Sequence, residues 1–112
     1  MNSNRGISIF LVITALLASA TAADGGTGMI RFPDIDPSGT RIAFAYQGDI
    51  WTAAVDGSGA RRITVHKAYE SHPRWSPDGK MIAFSSNRYG NDDVFAVPFE
   101  GGMPKRLTWH SA

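Results

Sequence analysis

The stretch "WSPDGKMIAF" runs from Trp75 to Phe84, and a near-copy, "IDPSGTRIAF", runs from Ile35 to Phe44. With the halves aligned at an offset of 40 (73 − 33), Pro33, Pro37, Gly39, Ile42, Ala43 and Phe44 meet Pro73, Pro77, Gly79, Ile82, Ala83 and Phe84. Further along, the offset becomes 44 (93 − 49). There Asp49, Gly57, Arg62, Thr64 and His66 meet Asp93, Gly101, Arg106, Thr108 and His110. Conservative pairs fill the gaps: Ile50 with Val94, Trp51 with Phe95, Val55 with Phe99 and Ile63 with Leu107. The four additional residues of the second copy lie in "SSNRYGND", opposite "AYQG". The chain is an internal repeat.

Asp36-Pro37-Ser38-Gly39 and Ser76-Pro77-Asp78-Gly79 each put Pro where a turn needs φ near −65°. Each has a preceding side chain that bonds the backbone and a closing Gly. Short β-rich runs flank both turns. In the second copy "RWS", "KMIAFSS", "DVFAVPF" and "PKRLTWH" follow in order, with Gly101 and Gly102 turning the chain before the last. The pattern predicts four strands per copy and no amphipathic helix of useful length. Within Asp93–Phe99, Phe95, Val97 and Phe99 share one face while Val94 and Ala96 take the other. Both faces are apolar, as in a sheet buried between neighbours. Pro98 cannot donate to a ladder and stands beside the strand's end, where that loss is smallest.

A period of about 40–45 residues with four strands per repeat belongs to propeller blades. The expected fold is all-β: two four-stranded antiparallel blades of an incomplete β-propeller, residues 23–112, with blade one near residues 29–66 and blade two near 71–110. Propellers close with typically 4–8 blades, and stacked repeats need about three neighbours to be stable. Two blades leave an outer face on each side uncovered. The chain therefore reads as the N-terminal piece of a longer propeller protein. A two-blade unit that assembles with identical chains into a ring, and a two-sheet sandwich, are the alternatives. Its expected partners are the remaining blades or identical chains.

The first residues differ in kind. Arg5 is the only charge before Asp24, and the apolar run from Ile7 to Leu17 leads into Ala18-Ser19-Ala20 and Ala20-Thr21-Ala22. That is the layout of a secretory signal peptide, residues 1–22, and it is barely long enough to serve as a membrane anchor. Cleavage after Ala22 leaves 90 residues (112 − 22) and removes only Arg5, so Lys+Arg falls from 11 to 10 and equals Asp+Glu at 10. A neutral chain gives no electrostatic case for nucleic acid or anionic lipid, so the membrane matters only for export. The expected location is periplasmic or secreted. Cysteine is absent, which excludes disulfides, thiolate metal cages and a cysteine nucleophile.

The segment Pro73–Thr108, "PRWSPDGKMIAFSSNRYGNDDVFAVPFEGGMPKRLT", resembles the WD-like, TolB-type propeller repeat. Met29-Ile30-Arg31-Phe32-Pro33, then "GDIW" at Gly48–Trp51, then Arg61-Arg62-Ile63-Thr64, resemble the start of tricorn-like proteases. The resemblance implies a serine peptidase parent, in which this propeller precedes a second propeller, a PDZ-like domain and the catalytic core. The family's catalytic serine, histidine and acid lie far downstream of the first propeller, and no position here matches them. The segment is thus expected to be non-catalytic, a scaffold and a gate for peptides. The leader departs from the cytosolic archaeal type and points to an exported bacterial relative. Two alternatives share this opening: a TolB-type periplasmic protein-binding module and the propeller part of an exported amidohydrolase.

No catalytic residue, metal site or cofactor is expected. His66 and His110 recur with Thr64 and Thr108, and a residue that recurs in each blade serves the blade. Ser71 and His72 are strand neighbours whose side chains should face opposite ways, which argues against a nucleophile–base pair. Asp34, Asp36, Asp78 and Asp92 read as turn formers, while Asp49 and Asp93 read as acceptors for loop amides. Arg61-Arg62 and Lys105-Arg106 read as solvated charges that discourage edge pairing. The insertion "SNRYGND" is the place where the copies differ in kind, and binding favours loops on rigid scaffolds. Arg88 and Tyr89, typical interface residues, are the expected binding residues for a peptide or protein ligand.

Overall fold

The computed structural model describes residues 29–109. The expected leader and His110 lie outside them. Eight strands follow in order: β1 (Ile30–Ile35), β2 (Arg41–Tyr46), β3 (Asp49–Ala54), β4 (Arg61–Arg62), β5 (Glu70–Trp75), β6 (Met81–Tyr89), β7 (Asn91–Pro98) and β8 (Lys105–Arg106). They form two four-stranded antiparallel sheets, β1-β2-β3-β4 and β5-β6-β7-β8. Among the described residues every regular element is a strand. These are two propeller blades, and the registers repeat with the sequence: Phe44 pairs with Trp51 in the first and Phe84 with Phe95 in the second.

The turn chemistry explains the hairpins. Gly39 N–H donates to Asp36 O and Gly79 N–H to Ser76 O, both at 2.9 Å. Both glycines sit at positive φ, 76° and 71°, where a side chain would be strained. Asp36 Oδ1 accepts from Thr40 and Arg41 N–H, each at 3.0 Å. The second copy moves its acid two places, so Asp78 Oδ1 takes the Ser76 hydroxyl at 2.6 Å and the Lys80 N–H at 3.0 Å. Gln47 and Gly48, at φ 50° and 79°, close β2 onto β3 as a tight two-residue hairpin.

The blades stack face to tail. Ile82, Phe84, Phe95 and Val97 of the second sheet bury themselves on Ala43, Ala45 and Ile50 of the first, with Phe32, Trp75 and Phe99 at the margin. Removing each of these bulky side chains from water is worth about 1.5–3 kcal/mol. The opposite face of the first sheet carries a separate cluster of Ile42, Phe44 and Ala53, edged by Trp51 and Val55. Bulky side chains of one sheet thus meet small ones of the next.

Both first strands carry an irregularity at equivalent places, between Arg31 and Asp34 and between Ser71 and Arg74. Phe32 and His72 each adopt φ 54° there, uncommon for large side chains. Their rings meet across the blades, tilted by 30° with 3.8 Å between centroids.

The expected insertion loop is largely strand. β6 continues to Tyr89 and pairs Tyr89 with Asn91, with Gly90 at φ 101° making the reversal. The four additional residues lengthen a hairpin; they do not make a free loop.

Candidate functional site

The lengthened hairpin meets the start of β5 at one end of the stack. Glu70, fully buried, is ion-paired through Oε2 with Arg88 Nη2. Arg88 Nε also donates to Ser86 Oγ at 3.1 Å, and its guanidinium lies 4.7 Å from the Phe95 ring centroid. Glu70 Oε1 has no hydrogen-bond partner. Burying this pair is tolerable because the salt bridge, the serine and the aromatic face together replace water around the guanidinium. Arg88 therefore anchors the hairpin to the blade. Its companion behaves differently: Tyr89 is 64% exposed and stacks on Phe95 with centroids 6.0 Å apart.

Beneath Tyr89 lies a clasp present in both blades. In blade two, Arg106 Nη2 donates to Asp93 Oδ2 at 2.7 Å, Thr108 Oγ1 to Asp93 Oδ1 at 3.0 Å, and Val94 N–H to Thr108 Oγ1 at 2.9 Å. The Arg106 guanidinium sits 4.5 Å from the Tyr89 ring and 5.3 Å from Trp109. In blade one, Arg62 pairs with Asp49 at 3.0 Å and Ile50 N–H donates to Thr64 Oγ1 at 2.9 Å. Asp49 Oδ1 has no partner. Burial pushes the Asp49 carboxyl above the usual range and nearby Glu70 adds to this, against the pull of Arg62 and the His66 N–H. Arg62 and Arg106 are thus blade-closing ion-pair partners, because strand four brings each back over the aspartate of strand three; Arg62 also stays exposed, as the sequence led one to expect, whereas Arg106 is largely covered.

A second cluster locks the blades together at the opposite turns. Arg41 Nε donates to Asp36 Oδ2 at 3.0 Å and Nη2 to Gly79 O at 3.1 Å. Its guanidinium lies 3.9 Å from Phe99 and 4.7 Å from Trp75. Burial opposes charge on Asp36, but the Arg41 N–H, the Ser38 hydroxyl, the Arg41 side chain and the Thr40 N–H outweigh it and hold its carboxyl below the ordinary value. Asp34 is not a turn former. Its Oδ2 accepts the Trp75 N–H at 2.9 Å and its carbonyl accepts Trp75 Nε1 at 3.0 Å, so it ties blade one to blade two. Arg61 donates to Phe99 O and Glu100 O at 2.7 and 3.1 Å, also across the junction.

The expectation that Ser71 and His72 face apart fails. Ser71 Oγ lies 2.9 Å from His72 Nδ1, because the left-handed residue inside the bulge breaks the alternation of a regular strand. Ser71 is buried and His72 exposed, so the contact fixes the imidazole against Phe32 and does not present a hydroxyl to a substrate. His66 Nδ1 accepts the Ala68 N–H at 2.9 Å, a local turn bond. Among the described residues no three His, Asp or Glu converge as metal ligands.

The residues that depart from the repeat find one another. Glu70 stands where the first copy has Ile30, and Arg88 lies in the insertion; they pair. Arg41, Asp36, Trp75 and Phe99 replace Met81, Ser76, Ile35 and Val55 of the other copy, and they also meet. Sequence reasoning singled out Arg88 as a binding residue and Asp36 as a turn former but missed the pairing of Arg88 with Glu70 and the gathering of Asp36, Arg41, Trp75 and Phe99, although the mismatched positions of the alignment were the available signal.

Residues 27–112 match the family described as the tricorn protease N-terminal beta propeller domain. The chain is 43% identical over 83 residues to tricorn protease homolog 1 of Streptomyces coelicolor, a stretch covering 73% of this chain and 8% of that protein. The solved structure of the tricorn protease matches with a TM-score of 0.61 at 28% identity, over 70% of this chain and 8% of that one. A putative TolB from Agrobacterium tumefaciens shares the fold, with a TM-score of 0.64 at 23% identity, over 75% of this chain and 31% of the other. The chain thus spans less than a third of the length of each of these relatives.

Proposed function

Because the chain belongs to the tricorn protease N-terminal beta propeller domain family, we propose that it is a non-catalytic propeller segment of an exported tricorn-like serine peptidase, acting as scaffold and peptide gate. The observation that carries this reading is the family match over residues 27–112. Support also comes from the Glu70–Arg88, Asp93–Arg106 and Asp34–Trp75 contacts, which close blades and join them. Export follows the leader reading and places the mature N-terminus at Ala23.

Arg88 and Tyr89 remain the proposed binding residues, with distinct roles: Arg88 holds the hairpin and Tyr89 presents an exposed ring. Labelled unstructured peptides, followed by fluorescence anisotropy and chromatography, test the reading. The chain should bind peptide without cleaving it, and Tyr89→Ala should weaken binding roughly five- to ten-fold. Site-specific cleavage, or no affinity for any peptide, would refute it. The likeness to a putative TolB favours a second reading, a periplasmic protein-binding module. Retention of a folded envelope protein in place of unstructured peptide would select it.

A further inference from the structure

We propose that Tyr89, Arg106 and Trp109 form a seat for an aromatic side chain of a bound peptide. The inference rests on the reading of the chain as a peptide-binding propeller and names the class of residue that such a propeller selects. Tyr89 stacks on Phe95, and Phe95 belongs to the cluster that buries blade two on Ala43, Ala45 and Ile50. The phenol ring therefore lies on the side of blade two that faces blade one. Its exposure comes from the unequal hairpins. Tyr46 and Asp49 make the last pair of blade one, whereas their counterparts Ser86 and Asp93 are followed by Tyr89 and Asn91. Trp109 is 70% exposed, and this too belongs to its place in the blade. Its counterpart Val65 is 75% exposed although blade two follows it directly.

The Arg106 guanidinium lies against both rings, 4.5 Å from the Tyr89 centroid and 5.3 Å from that of Trp109. Nη2 is committed to Asp93 at 2.7 Å and Nε to the Thr108 carbonyl at 2.9 Å. Those bonds hold the group in place. A guanidinium has five N–H donors, so others remain for a peptide carbonyl, and 23% of the side chain is exposed. Asp93 is buried and already neutralises the cation. A charged ligand side chain would find no unpaired counter-charge here and would lose its own water. An aromatic one offers the two rings a further face or edge, worth roughly two- to ten-fold in affinity beyond the area it covers. Blade one has no such seat. Val65 stands in the place of Trp109, and Tyr89 lies in the insertion, without a counterpart. The clasp recurs in both blades because it closes them, while the rings beside it belong to blade two alone and are free to recognise a ligand.

Peptides of one sequence with Phe, Leu, Lys or Glu at a single central position, titrated into the full chain and followed by fluorescence anisotropy, test this. The Phe peptide should bind tightest, roughly two- to ten-fold ahead of the Leu peptide, with Lys and Glu behind both. Tyr89→Leu and Trp109→Leu should each bring the Phe-to-Leu ratio toward one, while Tyr89→Phe keeps it. Both residues are exposed, so the variants should retain the β-sheet circular dichroism spectrum of the wild type. Equal affinity for the Phe and Leu peptides overturns the seat and leaves peptide binding intact. A Phe preference that survives both leucine variants also overturns it. Failure of every peptide to bind overturns the seat together with the peptide reading on which it rests.

Discussion

The clasp of blade one and the clasp of blade two use the same three residue types at the same spacing, yet they are unequal. Asp93 accepts from both Arg106 and Thr108, and Tyr89 and Trp109 flank the arginine. Asp49 has one partnerless oxygen, and the Arg62 side chain is 44% exposed. Four inserted residues make much of that difference, because the longer hairpin carries Tyr89 over Arg106. Repeated residues set the frame of each blade, while their non-repeating neighbours decide how firmly it is held.

The sharpest way to break this comparison is Arg88→Ala. It strands the fully buried Glu70 and should cost about 3–5 kcal/mol in urea denaturation. A loss under 1 kcal/mol would show that water or another group reaches Glu70 without consequence. Next in size is a matched pair of variants. Arg106→Ala leaves a buried aspartate and should cost about 3 kcal/mol, whereas Arg62→Ala, half-exposed, should cost no more than about 1 kcal/mol. Equal losses would dissolve the distinction between the clasps.

The smallest effect lies in acid titration of stability. The Asp36 carboxyl is held below its ordinary value of 3.8, so its contribution is present above that value and is lost as pH falls through its folded value. Asp49 has a raised pKa. It therefore costs stability above its folded value, and the cost is relieved as pH falls from there toward 3.8. Asp49→Asn should gain on the wild type as pH rises through that window, and Asp36→Asn should lose. Parallel stability curves for the two variants would contradict both assignments.

Much of the architecture was legible because it is local and repeated. The Pro and Gly of each turn, and the alternation through Phe95, Val97 and Phe99, determine strands without any long-range information. The site was less legible. Arg41 and Gly79 are 38 positions apart, and Asp34 and Trp75 are 41 apart, so only the stacked blades reveal those bonds. Alternation also misled at His72, where positive φ removes the assumption on which the rule depends. The insertion was recognised as exceptional, but its polar composition resembled a loop, and the pairing of Tyr89 with Asn91 that makes it strand is a tertiary outcome.

One consequence of the unequal hairpins concerns shape. Blades of the same height would end level; here blade two overhangs blade one at the hairpin end, because β6 and β7 run past the length of β2 and β3. That ledge carries the exposed phenol of Tyr89, whereas the short proline turns edge the opposite end of the two sheets, so the two ends of the stack are chemically distinct.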